Sequence, residues 1–266
     1  MGEAKRKRSA TERFLERHPF CCLCGGTIPA TTIEHAPPSV FFIEKQLPSG
    51  SHRVPACDRC NHGSSQQDQV AALAAMTMAS AHRYDLPDGY CDKLIKGVSN
   101  NAPDAFRAMS LGVDRAKKFL LRVNGLLRES YEVEIDRSLF TDWLEPWAAK
   151  QAYALHYLHT GEIVPPTARV LVGWYSNADL VEGRSPERLM QALPNIGELR
   201  QGVKTSGIQF SYKWQVEGQS ACFLLLLQDA SIAMTGILRD IEAARPFFDA
   251  PLFATDPTQG IHRATS

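Results

Sequence analysis

The sequence predicts an α+β protein in two parts, and three observations carry that prediction. Two Cys-x-x-Cys pairs, Cys21 with Cys24 and Cys57 with Cys60, flank a stretch that reads strand, loop, strand. An alanine-rich helical run follows the second pair, and the later half mixes helical stretches with runs of strand type. The expected division is residues 1–95, a zinc-braced finger with its following helix, and residues 96–266, an accessory α+β domain with a mostly antiparallel sheet.

Taken in order, Gly25-Gly26 signals a turn after the first pair. Thr31, Thr32 and Ile33 are β-branched and predict a short strand ending at Glu34-His35, while Pro37-Pro38 forbids helix beyond it. After a loop through Leu47-Pro48-Ser49-Gly50, residues 51–55 return as a second strand. Gly63-Ser64-Ser65 offers helix caps, Asp68 suits a first turn, and residues 69–84 contain no Gly or Pro and predict helix. Breaks at 85–89 and 97–103 bracket the domain boundary.

Residues 104–128 are expected to form one helix, interrupted at Gly112, with Arg115, Lys117, Lys118 and Arg122 as a basic face that is solvated by default. Residues 139–160 predict a helix bearing Trp143, Trp147, Tyr153 and Tyr157, and these aromatics read as core before base-stacking platforms. Residues 168–175 and 208–216 predict strands, with a helix candidate at 186–200 between them. ACFLLLL, at 221–227, predicts a strand covered on both faces and paired with 232–238.

With 266 residues, 44% hydrophobic and 22% charged, the chain can bury a sizeable core. ACFLLLL is far short of the ~20 residues of a membrane span, and MGEAKRKRSA has no apolar segment behind its charges. Neither insertion nor export is expected, which points to the cytoplasm. A net charge of zero neither requires nor excludes a nucleic-acid partner. Lys5, Arg6, Lys7 and Arg8 read as a solvated terminus, with a phosphate-contacting arm as the alternative. Gly2 opens no myristoylation site, because Arg6 stands where a hydroxyl residue is needed.

Seven cysteines without a secretion signal imply a reducing compartment, where paired cysteines serve metals more than disulfides. Each pair lets one turn aim two thiols at one ion, and two pairs make a closed, tetrahedral zinc site. A redox pair would leave the second Cys-x-x-Cys unexplained. Within CCLC, Cys22 reads as a bystander; Cys91 and Cys222 read as small buried hydrophobes. A plain zinc ribbon separates its pairs by roughly 15–20 residues. Residues 25–56 span about twice that, which leaves room for another structure.

CLCGG, then EH followed by PP and a phenylalanine, then VPACDRCN followed by glycine, serines and an aspartate, together resemble the HNH endonucleases. That family has a ββα-metal, treble-clef-like finger often braced by a four-cysteine zinc site, and the resemblance covers roughly the first third of the chain. It implies His35 as general base, Glu34 in place of the usual aspartate ligand of a catalytic Mg²⁺ or Mn²⁺, Asn61 as a second ligand, and nucleic acid, DNA first, as substrate. His52 stands where the family pattern has its middle asparagine, and its role is left open. His62 is an alternative ligand or an exposed histidine at a helix start. LHTGEIVPP, at 158–166, resembles a stretch that accompanies similar fingers. Restriction, phage-defence or mobile-element roles follow by analogy only.

The residue types suit the chemistry. A histidine with an ordinary pKa of about 6.5 is mostly neutral at pH 7 and can take a proton from water. A hard divalent ion needs few protein oxygens, and a carboxylate with an amide oxygen supplies them. Strand alternation points Glu34 and His35 to opposite faces, unless the strand ends there. The rival readings are a non-catalytic zinc-dependent nucleic-acid-binding module and a structural adaptor.

Overall fold

From Glu145 to His156 every residue of one helix is buried, and the other elements are arranged around it. The computed structural model describes residues 9–43, 52–79, 89–110, 114, 116–123, 126–133, 135–181, 183–184, 186–198, 200–201, 204–207, 209–218, 220–239 and 253–255. The basic cluster at 5–8, the turn at 47–50, the end of the expected helix at 80–84, Gly112 and Arg115 lie outside them.

The chain opens with α1 (Ala10–Arg17), β1 (Thr32–His35), a 3-10 turn (Ser39–Phe41), β2 (Arg53–Ala56), α2 (Asp58–His62) and α3 (Ser65–Ala79). Then come α4 (Tyr90–Asn101), α5 (Pro103–Ser110), β3 (Lys117–Val123), β4 (Leu126–Glu132) and α6 (Arg137–Leu139). A π-type turn (Phe140–Leu144) leads into α7 (Glu145–Thr160), followed by β5 (Arg169–Tyr175), α8 (Asn177–Val181) and α9 (Glu187–Ala192). The last elements are β6 (Asn195–Glu198), β7 (Arg200–Gln201), β8 (Lys204–Thr205), β9 (Phe210–Glu217), β10 (Ser220–Leu227), β11 (Ser231–Leu238) and β12 (Phe253–Thr255).

The expected hairpin is present: β1 and β2 pair antiparallel, with Glu34 opposite Val54 and His35 opposite Arg53. α3 starts at Ser65, earlier than the sequence suggests. Its alanines, Ala71, Ala72, Ala74, Ala75 and Ala79, are all buried, and such small side chains let neighbouring helices approach closely.

The large sheet has six strands in the order β12-β5-β11-β10-β9-β6, and every pairing is antiparallel. Its central strand β10 explains ACFLLLL. Phe223, Leu225 and Leu227 face the main core under α7, whereas Leu224 joins Leu193 and Ile232 in a smaller cluster on the other face. A strand covered on both faces needs no polar alternation.

Two expectations are corrected. Residues 104–128 are not one helix: α5 stops at Ser110, and Lys117–Val123 pairs with Leu126–Glu132 as a two-stranded hairpin. The overlooked signal is Asn124-Gly125 between two apolar runs, a strong hairpin sequence. Adjacent strand residues point to opposite faces, so Lys117 and Lys118 do not share the basic face a helix would have made. Likewise the helix expected at 186–200 is confined to Glu187–Ala192, and the chain passes through Pro194 into β6, since proline cannot continue a helix interior.

The main buried cluster draws on both parts of the chain, from Cys21, Phe41 and Val54 to Trp147, Phe223 and Ala233. Phe41 stacks on Trp147 with ring centroids 4.8 Å apart. The turn between Cys21 and Ile28 leans on LHTGEIVPP, where Gly25, at φ 67°, lies so close to Pro166 that no Cβ would fit. Gly197 of β6 pairs with Tyr212 of β9, and a Cβ there would lie inside the tyrosine ring. Gly197→Ala should therefore lower stability by roughly 1–3 kcal/mol in urea unfolding, the usual cost of overpacking.

Candidate functional site

The sulfur atoms of Cys21, Cys24, Cys57 and Cys60 lie within 4.8 Å of one another, and all four residues are buried. Local structure brings them there. The first pair sits in a tight turn closed by Gly26 N–H to Cys21 O at 3.0 Å and Cys21 N–H to Ile28 O at 3.0 Å, with Gly25 and Gly26 at positive φ. Cys57 caps α2, and Cys60 follows within its first turn. A zinc ion with Zn–S bonds of about 2.3 Å needs sulfurs about 3.8 Å apart, so the cluster could hold a metal ion such as zinc with only small adjustment.

Thiol hydrogen bonds from Cys21 and Cys60 hold Cys24 toward the thiolate, the form that binds metal. Cys22 is fully buried outside the quartet, and desolvation pushes its thiol well up. Its N–H donates to Pro55 O at 3.0 Å, a structural contact that suits a bystander.

Beside the cluster lies a cavity of about 1010 Å³, walled by Glu34, His35, Asn61, His62 and Asp68 among others. Three of the expected site residues, Glu34, His35 and Asn61, thus share one space. Asn61 projects from α2 onto β1, where its Nδ2 donates to Thr32 Oγ1 at 3.0 Å and to Ile33 O at 3.3 Å. With the amide nitrogen committed to the strand, its Oδ1 is the atom left for a ligand. His35 is half-buried, and burial together with the Arg53 charge lowers its pKa, which favours the neutral, proton-accepting imidazole. Asp58 Oδ1 and His62 Nδ1 lie 2.8 Å apart on the exposed surface of α2.

His52 is elsewhere. It does not line this cavity, and its Nε2 lies 2.9 Å from Tyr212 Oη, which also lies 3.0 Å from His159 Nε2. A hydroxyl carries one proton, so Tyr212 can donate to at most one of the two imidazoles. Burial, with the neighbouring His159, lowers the His52 pKa to about 4.

The sequence reading missed Lys150. This residue of α7 is 1% exposed, and its Nζ donates to Ser64 Oγ at 2.8 Å and to Asp68 Oδ2 at 3.0 Å, with Glu34 Oε1 at 3.3 Å. Burial opposes its charge, but Asp68 and Glu34 outweigh burial and raise its pKa. Asp68, which reads as a first-turn charge in the sequence, is itself pushed up to about 6 by burial, against the pull of Lys150. The available signal was a lone lysine in WAAKQAYAL: a charge in an apolar helix needs buried anions.

No family model, curated protein or solved structure matches the chain. The site is therefore read from its own geometry.

Two outcomes are expected. Cys60→Ser should cut bound zinc from about one per chain toward none and unfold the finger, whereas Cys22→Ser should keep its zinc; elemental analysis with thermal unfolding distinguishes them. Lys150→Met should destabilise the protein by about 3–5 kcal/mol at pH 7, because two carboxylates lose their buried cation. A carboxyl whose folded pKa is raised takes up its proton before the unfolded chain does. Asp68 titrates at about 6 only with Lys150 pulling it down, so in the variant it takes up its proton at higher pH. The deficit should therefore shrink as pH falls from 7 toward about 6, and denaturant titrations across that range test the sign.

Proposed function

We propose that this protein is a metal-dependent endonuclease of the HNH type that hydrolyses phosphodiester bonds in nucleic acid, DNA first. The observation that carries the reading is the convergence of Glu34, His35 and Asn61 on one cavity beside a four-cysteine cluster, on a strand, strand, helix frame. Zinc in that cluster would be structural, holding a hairpin too small to order itself.

Each side chain has a task suited to its surroundings. His35 takes the proton of the attacking water at its free imidazole nitrogen, and the environment that keeps it neutral supports that role. Glu34 and Asn61 would hold a Mg²⁺ or Mn²⁺ ion through one carboxylate oxygen and Oδ1, a hard-oxygen set that suits such ions, with Asp68 on the same wall. The ion, when bound, supplies charge compensation for the departing oxygen. Lys150 Nζ, 3.3 Å from Glu34 Oε1, orients that carboxylate, and the two Nδ2 bonds of Asn61 aim its Oδ1.

One observation favours a second reading, a non-catalytic zinc-dependent nucleic-acid-binding module. The Glu34 carboxylate already has a cation, since Lys150 Nζ lies 3.3 Å from it. A plasmid and RNA cleavage assay with Mg²⁺ or Mn²⁺ separates the two. On the endonuclease reading, His35→Ala lowers metal-dependent nicking by roughly 10²–10⁴-fold, with zinc content and nucleic-acid binding unchanged. Absence of cleavage by zinc-loaded wild type that still binds DNA supports the module.

A further inference from the structure

On the opposite side of the hairpin from Lys150, three arginines gather around an open depression of about 530 Å³. Arg13 and Arg17 come from α1, and Arg53 comes from β2. Residues four apart lie on one face of a helix, so the first two guanidinium groups point the same way. Arg17 Nε donates to Arg13 O at 3.2 Å, which lays its side chain back along the helix toward Arg13. Arg53 sits over the Phe14 ring at 5.5 Å from its centroid. Glu16 is the acidic residue on the rim, yet none of the three arginines is ion-paired with a carboxylate among the described residues.

Unpaired, clustered guanidiniums repel one another and gain most from an anion with several oxygens, for which their planar forks are suited. The helix that carries them is fixed in advance. A capping box between Ser9 and Glu12 starts α1, and at its end His18 Nδ1 lies 2.6 Å from Tyr157 Oη of α7. The groove also has a direction. Arg53 is the cross-strand partner of His35, and directly opposed residues carry side chains on the same face of a hairpin, about 5 Å apart at Cβ.

We propose that Arg13, Arg17 and Arg53 form a phosphate-binding groove that carries the backbone of a nucleic-acid strand to His35. The inference rests on the endonuclease reading for what lies at its end, and on charge complementarity for the groove itself. Contacts of this type position a strand without reading its bases, so the groove gives affinity and register and leaves sequence choice to other surfaces.

The test is fluorescence anisotropy on labelled duplex and single-stranded oligonucleotides, with zinc-loaded protein in a His35→Ala background that cannot cleave. The double variant Arg13→Gln/Arg17→Gln changes two exposed side chains, and equal zinc content and thermal midpoint verify its fold. Binding should weaken by about tenfold or more at low salt, and the dependence of log K on log salt should become shallower by about one for each arginine lost. Arg53→Gln, in otherwise wild-type protein, should weaken binding and cleavage together, with Arg53→Lys retaining part of both.

Unchanged affinity and salt dependence in the double variant overturn the groove, as does weaker binding with an unchanged slope, which marks a local structural defect. Equal competition by inorganic phosphate at the concentration of nucleotide phosphate assigns the site to the free anion and overturns the strand assignment. The two readings fail separately. Arginine-dependent binding without cleavage by wild type leaves the groove standing and removes the endonuclease, whereas cleavage indifferent to all three arginines does the reverse.

Discussion

A lysine ammonium placed where water cannot reach it must be surrounded by anions, and Lys150 draws three elements together to meet that need. Glu34 comes from the first strand of the hairpin, Asp68 and the preceding Ser64 from the start of α3, and Lys150 itself from the middle of α7. Removing Lys150 leaves two buried carboxylates without a cation, which is far more costly than the intact cluster is favourable. The cluster therefore acts as a register mark. It fixes where the β1–β2 hairpin sits on the central helix, and it does so one side chain away from the cavity that Glu34 and Asp68 help to wall.

The rest of the fold serves that junction. Small residues on α3 and α7 let the two helices pack closely, and the antiparallel sheet closes the far side of α7 through Phe223, Leu225 and Ala233. The four-cysteine cluster holds the near side, where two short strands bury too little apolar surface to stay ordered alone. Phe41 on Trp147 and Gly25 against Pro166 extend the seam. Residues expected to form a separate finger and those expected to form an accessory domain thus contribute to one buried cluster.

Charge is distributed over the two surfaces of the hairpin in a way that strand alternation dictates. Glu34 points inward to Lys150 and is 6% exposed, whereas its neighbour His35 is half-buried and stands across from Arg53. Acidic and amide groups gather on the cavity side, and arginines on the side of α1. A zero net charge conceals this separation, because composition sums what the fold keeps apart.

Much of the frame was legible in the sequence for local reasons. Cysteine spacing determined which four thiols meet, β-branched residues and prolines determined the hairpin strands, and the unbroken apolar run determined a strand covered on both faces. The hairpin of β3 and β4 was equally local, in Asn124-Gly125, and was masked by the helical look of the charges around it. Lys150, Asp68 and Arg53 were of another kind. Their partners are long-range in sequence, and the pairing of a charge depends on burial and distance, quantities that exist only after helices and strands have packed. The sequence by itself determined the elements and the four-thiol cluster, because spacing and periodicity act within a few residues. Tertiary structure alone decided which charges neutralise one another and which stand without an ion-pair partner among the described residues.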